Sequence, residues 1–464
     1  MVCAPPSDRC RRSSMTPLSH LCTDDLSDRV VALTDGPPIM LRRVRRDVAR
    51  LAAWLAMQPG HNWVLASEHP YDFLVSLLAV WHAGKQVTVP ASLQPGAVRE
   101  ATAQADGLLD GLGTWQSSTD TATDMDAVLR PFNAERSLLD LFTSGSSGAP
   151  KRIRKSAAQL EREIVVLESC WGGRREPVFA TVPHHHIYGL LFRLLWPLAS
   201  GRPFDTLMCT APEFLLARLD AHGPGQVVSS PSQLNRMPDL IDLQVLQGKA
   251  TRFYSSGGPL NPTAAGCFQR ILGTAPVEIF GSTETGGVAW REQRDGDDSW
   301  TPLPGVQIAR SAAGALVLCS PFIDDDAPYE TNDAATLLDD GRFRIHGRLD
   351  RIVKIEEKRL SLSELEARLV EHPWVREAAA IVLSEGRQIV ATVVALNDDG
   401  QLALEQLGRA ALGKRLRTHL RQWFDAVLLP RRWRYPDVLP YNERGKLAAD
   451  DLAAMFETTE TQRE

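Results

Sequence analysis

Thr143-Ser-Gly-Ser-Ser-Gly-Ala-Pro-Lys151 is the stretch on which the reading of this chain turns. It directly follows an apolar run, Leu138 to Phe142, that reads as a strand. Gly145 and Gly148 let the backbone approach a ligand closely with its N–H groups exposed. The hydroxyls of Thr143, Ser144, Ser146 and Ser147 add donors, and Lys151 adds a mobile positive charge. A loop of this composition suits a polyphosphate; the plainer reading is a flexible Gly/Ser connection. It is not a Walker A loop, which needs adjacent Gly and Lys, because Ala-Pro separates Gly148 from Lys151.

Working outward, strands and helices alternate on both sides. Apolar residues recur at helical spacing from Leu41 to Met57, followed by a strand at Trp63–Ser67. A helix from Phe73 to His82 stops at Gly84, and Gln86–Pro90 is a second strand. That order predicts a parallel sheet with a right-handed crossover. A helix over 157–170 and short buried strands at 178–183, 226–230 and 277–280 continue the pattern. After Arg348 the character changes. Ser361 and Glu364 form a capping-box pair opening a helix through Val370. Strand-like runs at 378–384 and 388–396, a helix near 402–424 and a last short helix follow. The expected fold class is α/β: a large N-terminal domain over 26–348 with parallel or mixed sheets, and a small α+β domain over 349–464 on a hinge. Residues 1–25, basic and polar, read as a flexible tail without the apolar stretch of a signal peptide, and Met15 is an alternative start.

Bulk properties narrow the function. A chain of 464 residues is too long for one ordinary core. A net charge of -6 gives no global reason to expect nucleic-acid binding. Cysteines at 3, 10, 22, 170, 209, 267 and 319 include no CxxC pair, which argues against a structural zinc site or disulfide framework and fits a reducing cytoplasm. No apolar run reaches the length of a membrane span.

Further motifs share the chain with the loop: Pro183-His-His-His-Ile-Tyr-Gly189, Ser255-Ser-Gly-Gly-Pro-Leu260, Ile279-Phe-Gly-Ser-Thr-Glu284, Tyr329-Glu-Thr-Asn-Asp333, Gly347-Arg-Leu-Asp-Arg-Ile-Val-Lys354 and Asn442-Glu-Arg-Gly-Lys446. Taken singly, each has a plain reading: a metal tract, a β-turn, a polar loop, a solvated Asp, a charged hairpin, a solvated Lys. Adjacent side chains diverge on strand or helix, which disfavours one ion held by all three His. Together, and in this order, the motifs resemble those of the adenylate-forming superfamily of acyl- and aryl-CoA synthetases, luciferases and peptide-synthetase adenylation domains. The resemblance covers roughly residues 40–455.

The resemblance implies roles. Thr143, Ser144, Gly145, Ser146, Ser147, Gly148 and Lys151 would hold the β- and γ-phosphates of ATP, with Ser147 where Thr is usual. Gly258, Phe280, Gly281 and Ser282 would lie along the nucleotide, Phe280 offering its ring to adenine where Tyr is usual, and Gly281 permitting close approach. Thr283 would meet the α-phosphate, and Glu284, a hard oxygen ligand, would hold Mg²⁺. Asp333 would accept from the ribose hydroxyls, Asn332 standing where Gly is usual and tolerating an unusual backbone angle. Arg348 would meet ribose or phosphate, and Asp350 would be the hinge. Lys446 would reach the α-phosphate and the attacking carboxylate. His186, Tyr188, Phe192, Ser230 and Gly257 would line the acid pocket. In the usual KIxGxRxS run this chain carries Glu357 in place of Gly, near the expected thiol tunnel.

The implied activity is a ligase with two steps. A carboxylate attacks the α-phosphate of ATP and releases pyrophosphate, and a thiol then displaces AMP. The mixed aromatic and polar pocket suits an aryl or hydroxyaryl acid. The compact look of the chain is similar to ligases of aryl-polyene and xanthomonadin-type pigment pathways, which load a hydroxybenzoate-like acid onto an acyl carrier protein. Between Gln401 and Arg434 eight Lys/Arg face two acids, and Lys414, Arg417 and Arg421 share one helical face, suited to an acidic carrier protein or to CoA phosphates. The alternatives are a fatty-acyl or aryl-CoA synthetase using free CoA and a non-catalytic nucleotide-binding homologue. Joint retention of Lys151, Glu284, Asp333 and Lys446 opposes the last.

Overall fold

The apolar run before the Ser/Gly loop is a strand, and the residues after the loop turn back along it. In chain order, helix α1 (Leu41–Met57), β1 (Asn62–Leu65), α2 (Pro70–His82), β2 (Gln86–Val89), β3 (Gly107–Leu109), β4 (Leu138–Thr143) and β5 (Lys151–Ser156) build one sheet and part of its cover. The sheet has five strands in the order β3-β1-β2-β4-β5. β1 pairs parallel with β2 and β3, β2 parallel with β4, and β4 antiparallel with β5. The parallel crossover read from the sequence is therefore present. α2 buries Phe73, Leu74, Leu77, Leu78 and Trp81 on successive turns, as expected for a helix apolar on all sides.

The computed structural model describes residues 15–23, 28–112, 129–143, 151–294, 296–324, 327–355, 358–385, 387–442 and 447–457. Chain packing divides it into one unit of Met1–Asp297, Leu303–Val306 and Ser320–Asp326, and a second of Asp298–Pro302, Gln307–Cys319 and Ala327–Glu464.

After β5 the first unit continues with α3 (Ala157–Trp171), started by a complete capping box in which Ser156 and Gln159 exchange side-chain and backbone hydrogen bonds. A second sheet follows from β6 (Val178–Ala180), β7 (Phe204–Met208), β8 (Gly225–Ser229), β9 (Ala250–Ser256), β10 (Val277–Ser282) and β11 (Gly286–Glu292). Its order runs β11-β10-β9-β8-β6-β7, then Val30–Leu33 and Ile39–Met40. β6 to β10 pair parallel, and β11 folds back antiparallel on β10. The loose-tail reading does not hold for residues 15–23: Leu18, Leu21 and Cys22 are buried, and Thr16 N donates to Ala199 O at 2.9 Å. Apolar residues three and four apart give this short segment a face to dock.

The second unit holds β12 (Gln307–Arg310), β13 (Ala315–Cys319), β14 (Tyr329–Leu337) and β15 (Phe343–Arg348) in one antiparallel sheet. The hairpin β16 (Ile352–Ile355) and β17 (Lys358–Ser361) precedes α4 (Leu362–Val370), whose Ser361 cap accepts from Glu364 N at 3.2 Å. β18 (Val375–Glu385), β19 (Arg387–Leu396), α5 (Asp398–Leu420), β20 (Arg432–Arg434) and α6 (Ala449–Glu457) complete it. α5 starts earlier than the expected 402 and is broken at Gly408, whose φ of 77° no helix accommodates. Asn332 lies inside β14, where the pairing with β13 shifts register between Glu330 and Ala334.

Candidate active site

In the first unit the register brings together the two ends of the loop. Thr143, at the end of β4, is the antiparallel partner of Lys151, at the start of β5. Ser144, Gly145, Ser146, Ser147 and Gly148 lie outside the described residues. The Lys151 Nζ reaches Glu284 Oε1 at 3.1 Å, across 133 residues of sequence. Two motifs chosen separately from the sequence thus meet.

Glu284 sits in the turn between β10 and β11. Burial pushes its carboxyl upward, but hydrogen bonds from its own backbone N–H and from Lys151 outweigh burial and hold its pKa below the ordinary value. The group is an ionised oxygen donor at neutral pH. Phe280, Gly281 and Ser282 form the end of β10, and Thr283 leads into the turn. The turn is stitched internally: Ser282 N donates to Thr285 Oγ1 at 3.1 Å and Thr285 N to Ser282 Oγ at 3.2 Å. A Cβ at Gly281 would stand 2.3 Å from the Gly286 carbonyl oxygen. The close approach that this glycine permits is that of β11, a reason internal to the sheet and separate from the nucleotide contact expected of it.

Two buried charges hold the same turn from beneath. Lys155 Nζ donates to Glu284 O and to Phe322 O, both at 2.8 Å. Glu163 Oε1 accepts from Gly287 N at 2.7 Å. Burial lowers the Lys155 ammonium and raises the Glu163 carboxyl, each partly offset by the other's charge. Sequence reading passed over both residues. The available signal was the spacing of Lys155, four residues after Lys151 on a strand and so on the same face.

The candidate acid-pocket residues also lie in this unit. His186 precedes the short helical turn Ile187–Gly189, which runs on through a π-helical segment, Leu190–Leu195, that contains Phe192. Tyr188 and Phe192 have ring centroids 4.8 Å apart, and Phe192 lies 5.3 Å from Tyr254 and 5.4 Å from Trp196. Burial, then the neighbouring Tyr254, pushes the Tyr188 phenol well above its usual range. Ser230 stands at the N-cap position of the helix Pro231–Leu240 without a side-chain capping bond, and its hydroxyl meets Ser232 Oγ at 2.9 Å. Gly257 and Gly258 follow β9, Gly257 with φ 97°. Of the three adjacent His, His184 is buried with Nε2 at 3.1 Å from Ser67 O and its ring against Phe73, a packing role. Among the described residues no group of three or more His, Cys, Asp or Glu is placed to hold a metal ion. Tyr254 and Trp196 were not foreseen.

In the second unit, Asp333 on β14 and Arg348 on β15 are antiparallel partners. Asp350 lies in a 3₁₀ turn, Leu349–Arg351, and the next residue, Arg351, is bound to Glu366 at 2.6 Å. Lys446 and Glu357 lie outside the described residues. A basic cavity of about 390 Å³ is lined by Arg409, Lys414, Arg417, Arg421, Arg431 and Trp433. Among the described residues none of these five cations is paired with a carboxylate. Burial, then repulsion from Arg421 and Arg431, lowers the Arg417 guanidinium below its usual value. The helical face at 414, 417 and 421 was legible in the sequence; its closure by Arg409, Arg431 and Trp433 was not.

Residues 91–313 match the family described as AMP-binding enzyme. The chain carries a domain of the AMP-binding enzyme family. A 4-coumarate–CoA ligase of Cereibacter sphaeroides is 29% identical over 311 residues, 66% of this chain and 69% of that one. The fold matches ATP-bound MatB from Rhodopseudomonas palustris with a TM-score of 0.77 at 20% identity, over 96% of this chain and 99% of that chain. It also matches the anthranilate CoA ligase AuaEII in complex with anthranoyl-AMP, TM-score 0.74 at 15% identity, over 96% of this chain and 98% of that chain. The chain is an AMP-forming acid–thiol ligase that uses ATP and Mg²⁺. The donor set around Glu284 suits Mg²⁺: one ionised carboxylate and no all-protein cage among the described residues, which would leave phosphate oxygens and water to supply the other ligands. When bound, the ion supplies positive charge where negative charge accumulates on the phosphates. No helix among the described residues is long and apolar enough to cross a membrane.

Proposed function

We propose that this ligase activates an aryl or hydroxyaryl acid as its acyl-AMP and transfers the acyl group to the phosphopantetheine thiol of an acidic acyl carrier protein. In the first step a carboxylate oxygen of the substrate attacks the α-phosphorus of ATP. The bond from that phosphorus to the bridging oxygen breaks, and pyrophosphate leaves. In the second step the thiol sulfur attacks the acyl carbon, the thiol proton passes to solvent, and AMP leaves with the former carboxylate oxygen.

The loop from Thr143 to Lys151 would neutralise the β- and γ-phosphates, Thr283 would contact the α-phosphate, and Glu284 would hold Mg²⁺. Phe280 and Gly258 would border adenine, and Asp333 and Arg348 the ribose. Lys446 would stabilise the α-phosphate as the carboxylate attacks. His186, Tyr188, Phe192, Ser230 and Gly257 would shape the acid pocket. Asp350 would be the pivot on which the C-terminal domain, taken over 349–464, reorients between steps.

The observation that carries the acceptor is the basic cavity, where Arg409, Lys414, Arg417, Arg421 and Arg431 present unpaired charge to an anionic partner. The aryl preference is supported by the rings of Tyr188, Phe192, Trp196 and Tyr254. The names of two proteins it resembles, a 4-coumarate–CoA ligase and an anthranilate CoA ligase, support it as well. Those same names favour a second reading in which free CoA is the acceptor. Thioester formation with a purified holo-carrier protein and with CoA, using the acid that gives the fastest ATP–pyrophosphate exchange in a panel, separates the two. Acylation of the carrier at a kcat/KM at least tenfold above that of CoA is expected. The reverse ranking overturns the carrier assignment, and exchange only with alkyl acids overturns the aryl one.

A further inference from the structure

β5 presents alternate residues to opposite sides. Arg152 and Arg154 turn to Asp140, while Lys151, Ile153 and Lys155 share the other face, which runs from exposed Lys151 to buried Lys155. Both lysines of that face end on Glu284: Lys151 on its carboxylate at 3.1 Å, and Lys155 on its backbone carbonyl at 2.8 Å. The far side of the turn is tied to α3, where Glu163 accepts from Gly287 N at 2.7 Å and Gln159 Nε2 donates to Phe322 O at 3.2 Å. Gly286 completes the clamp. Its φ is +68°, and a Cβ there would lie 2.7 Å from Glu163 Oε2.

A buried ammonium and a buried carboxylate are costly to desolvate, and a Met or Leu would fill the same space without that cost. Here both are spent on backbone groups of one turn and of the strand that leaves it. The carboxylate of that turn has Lys151 as its ionic partner, and Lys151 is wanted by the polyphosphate once nucleotide binds. When Lys151 leaves, the Glu284 carboxylate keeps only donors of its own turn, its backbone N–H and Ser282, so its aim depends on the clamp that holds the turn.

We propose that Lys155 and Glu163 are positioning residues for adenylation, fixing the turn that carries Glu284 so that its carboxylate stays aimed at the divalent cation after Lys151 has moved to the phosphates. The proposal rests on the reading that Glu284 holds that cation. Groups that orient a metal ligand from behind typically change metal affinity by about 10–100-fold when removed.

The test measures the Mg²⁺ concentration for half-maximal ATP–pyrophosphate exchange and, by calorimetry, the Mg²⁺-dependent binding of α,β-methylene ATP. Lys155→Met should raise the half-saturating Mg²⁺ about tenfold and weaken the analogue in parallel, with the KM for the acid within about twofold of the parent. Lys155→Arg, which keeps a buried donor, should recover most of the loss. A lowered Tm with unchanged Mg²⁺ dependence overturns the proposal and leaves Lys155 a structural residue. If Lys155→Met does not fold, Glu163→Gln takes its place. It keeps an oxygen acceptor for Gly287 N and removes the charge beside Lys155, and a shift of about threefold in the same direction is expected. No shift overturns the proposal. Glu284→Gln is the control: unchanged Mg²⁺ dependence there rejects Glu284 as the ligand, a failure distinct from that of the clamp.

Discussion

The turn carrying Glu284 and the basic cavity of the second unit treat charge in opposite ways. Around the turn each charge has a partner: Lys151 on the Glu284 carboxylate, Lys155 on two carbonyls, Glu163 on a backbone amide. Around the cavity Arg409, Lys414, Arg417, Arg421 and Arg431 converge with no carboxylate among the described residues to neutralise them. Partnered charges fix geometry, which a chemical step needs, because preorganised dipoles act without reorganising when the reaction occurs. Unpartnered charges of one sign repel each other and are relieved by an anion from outside, which steers encounter more than it fixes geometry. The difference assigns chemistry to the turn and recognition to the cavity.

The largest expected effect breaks the comparison on the side of the turn. Glu284→Gln preserves shape and removes charge, and should lower the kcat of pyrophosphate exchange by about 10²–10³-fold. Loss of less than a few-fold would remove chemistry from the turn. Its pH behaviour sharpens the point. The carboxyl is held below its ordinary value of 4.5 by its own N–H and Lys151 against the opposing effect of burial. Glu284 therefore stays ionised across the neutral range. Its contribution to stability is present above pH 4.5 and is lost only as pH falls through the lower folded value.

On the other side, the double charge reversal Arg417→Glu and Arg421→Glu should lower kcat/KM for the carrier protein about tenfold and flatten its salt dependence. Pyrophosphate exchange should be unchanged, since the cavity is assigned no part in the first step. Equal loss in both assays would show that the cavity supports the fold and not the acceptor.

The same contrast explains what the sequence made legible. The hairpin ends Thr143 and Lys151 were readable because an apolar strand and a Gly-rich loop are local patterns. So were α2, through its unbroken apolar character, and the helical face of Lys414, Arg417 and Arg421, through its spacing. The pairing of Lys155 with Glu284 and Phe322 spans 129 and 167 residues, and no local pattern encodes it. The close approach of Gly281 to the Gly286 carbonyl arises only through the antiparallel return of β11, which no local pattern encodes. The cavity needed Arg431 and Trp433, brought in by the β20 edge beside β19, to become concave. The break in α5 at Gly408 was hidden inside an otherwise helical pattern.

The smallest expected effect calibrates what burial does to charge with no ionic partner at all. His82, in the last turn of α2, packs edge-on against Phe132 at 5.0 Å. Burial, only partly offset by a backbone hydrogen bond at Arg130, lowers its pKa from 6.5 to about 4. Between those values the unfolded chain binds a proton that the folded chain does not, so stability rises with pH across the window. The penalty is absent above pH 6.5, grows as pH falls, and is complete below about pH 4. At about 1.4 kcal/mol per pKa unit it reaches at most roughly 3–4 kcal/mol. His82→Leu should reduce the slope of Tm against pH between 6.5 and 4 while leaving the Mg²⁺ dependence of exchange unchanged. An unaltered slope would mean that His82 gains solvent or a partner on protonation. Burial alone would then be a weaker force on charge in this chain than the turn and the cavity both require.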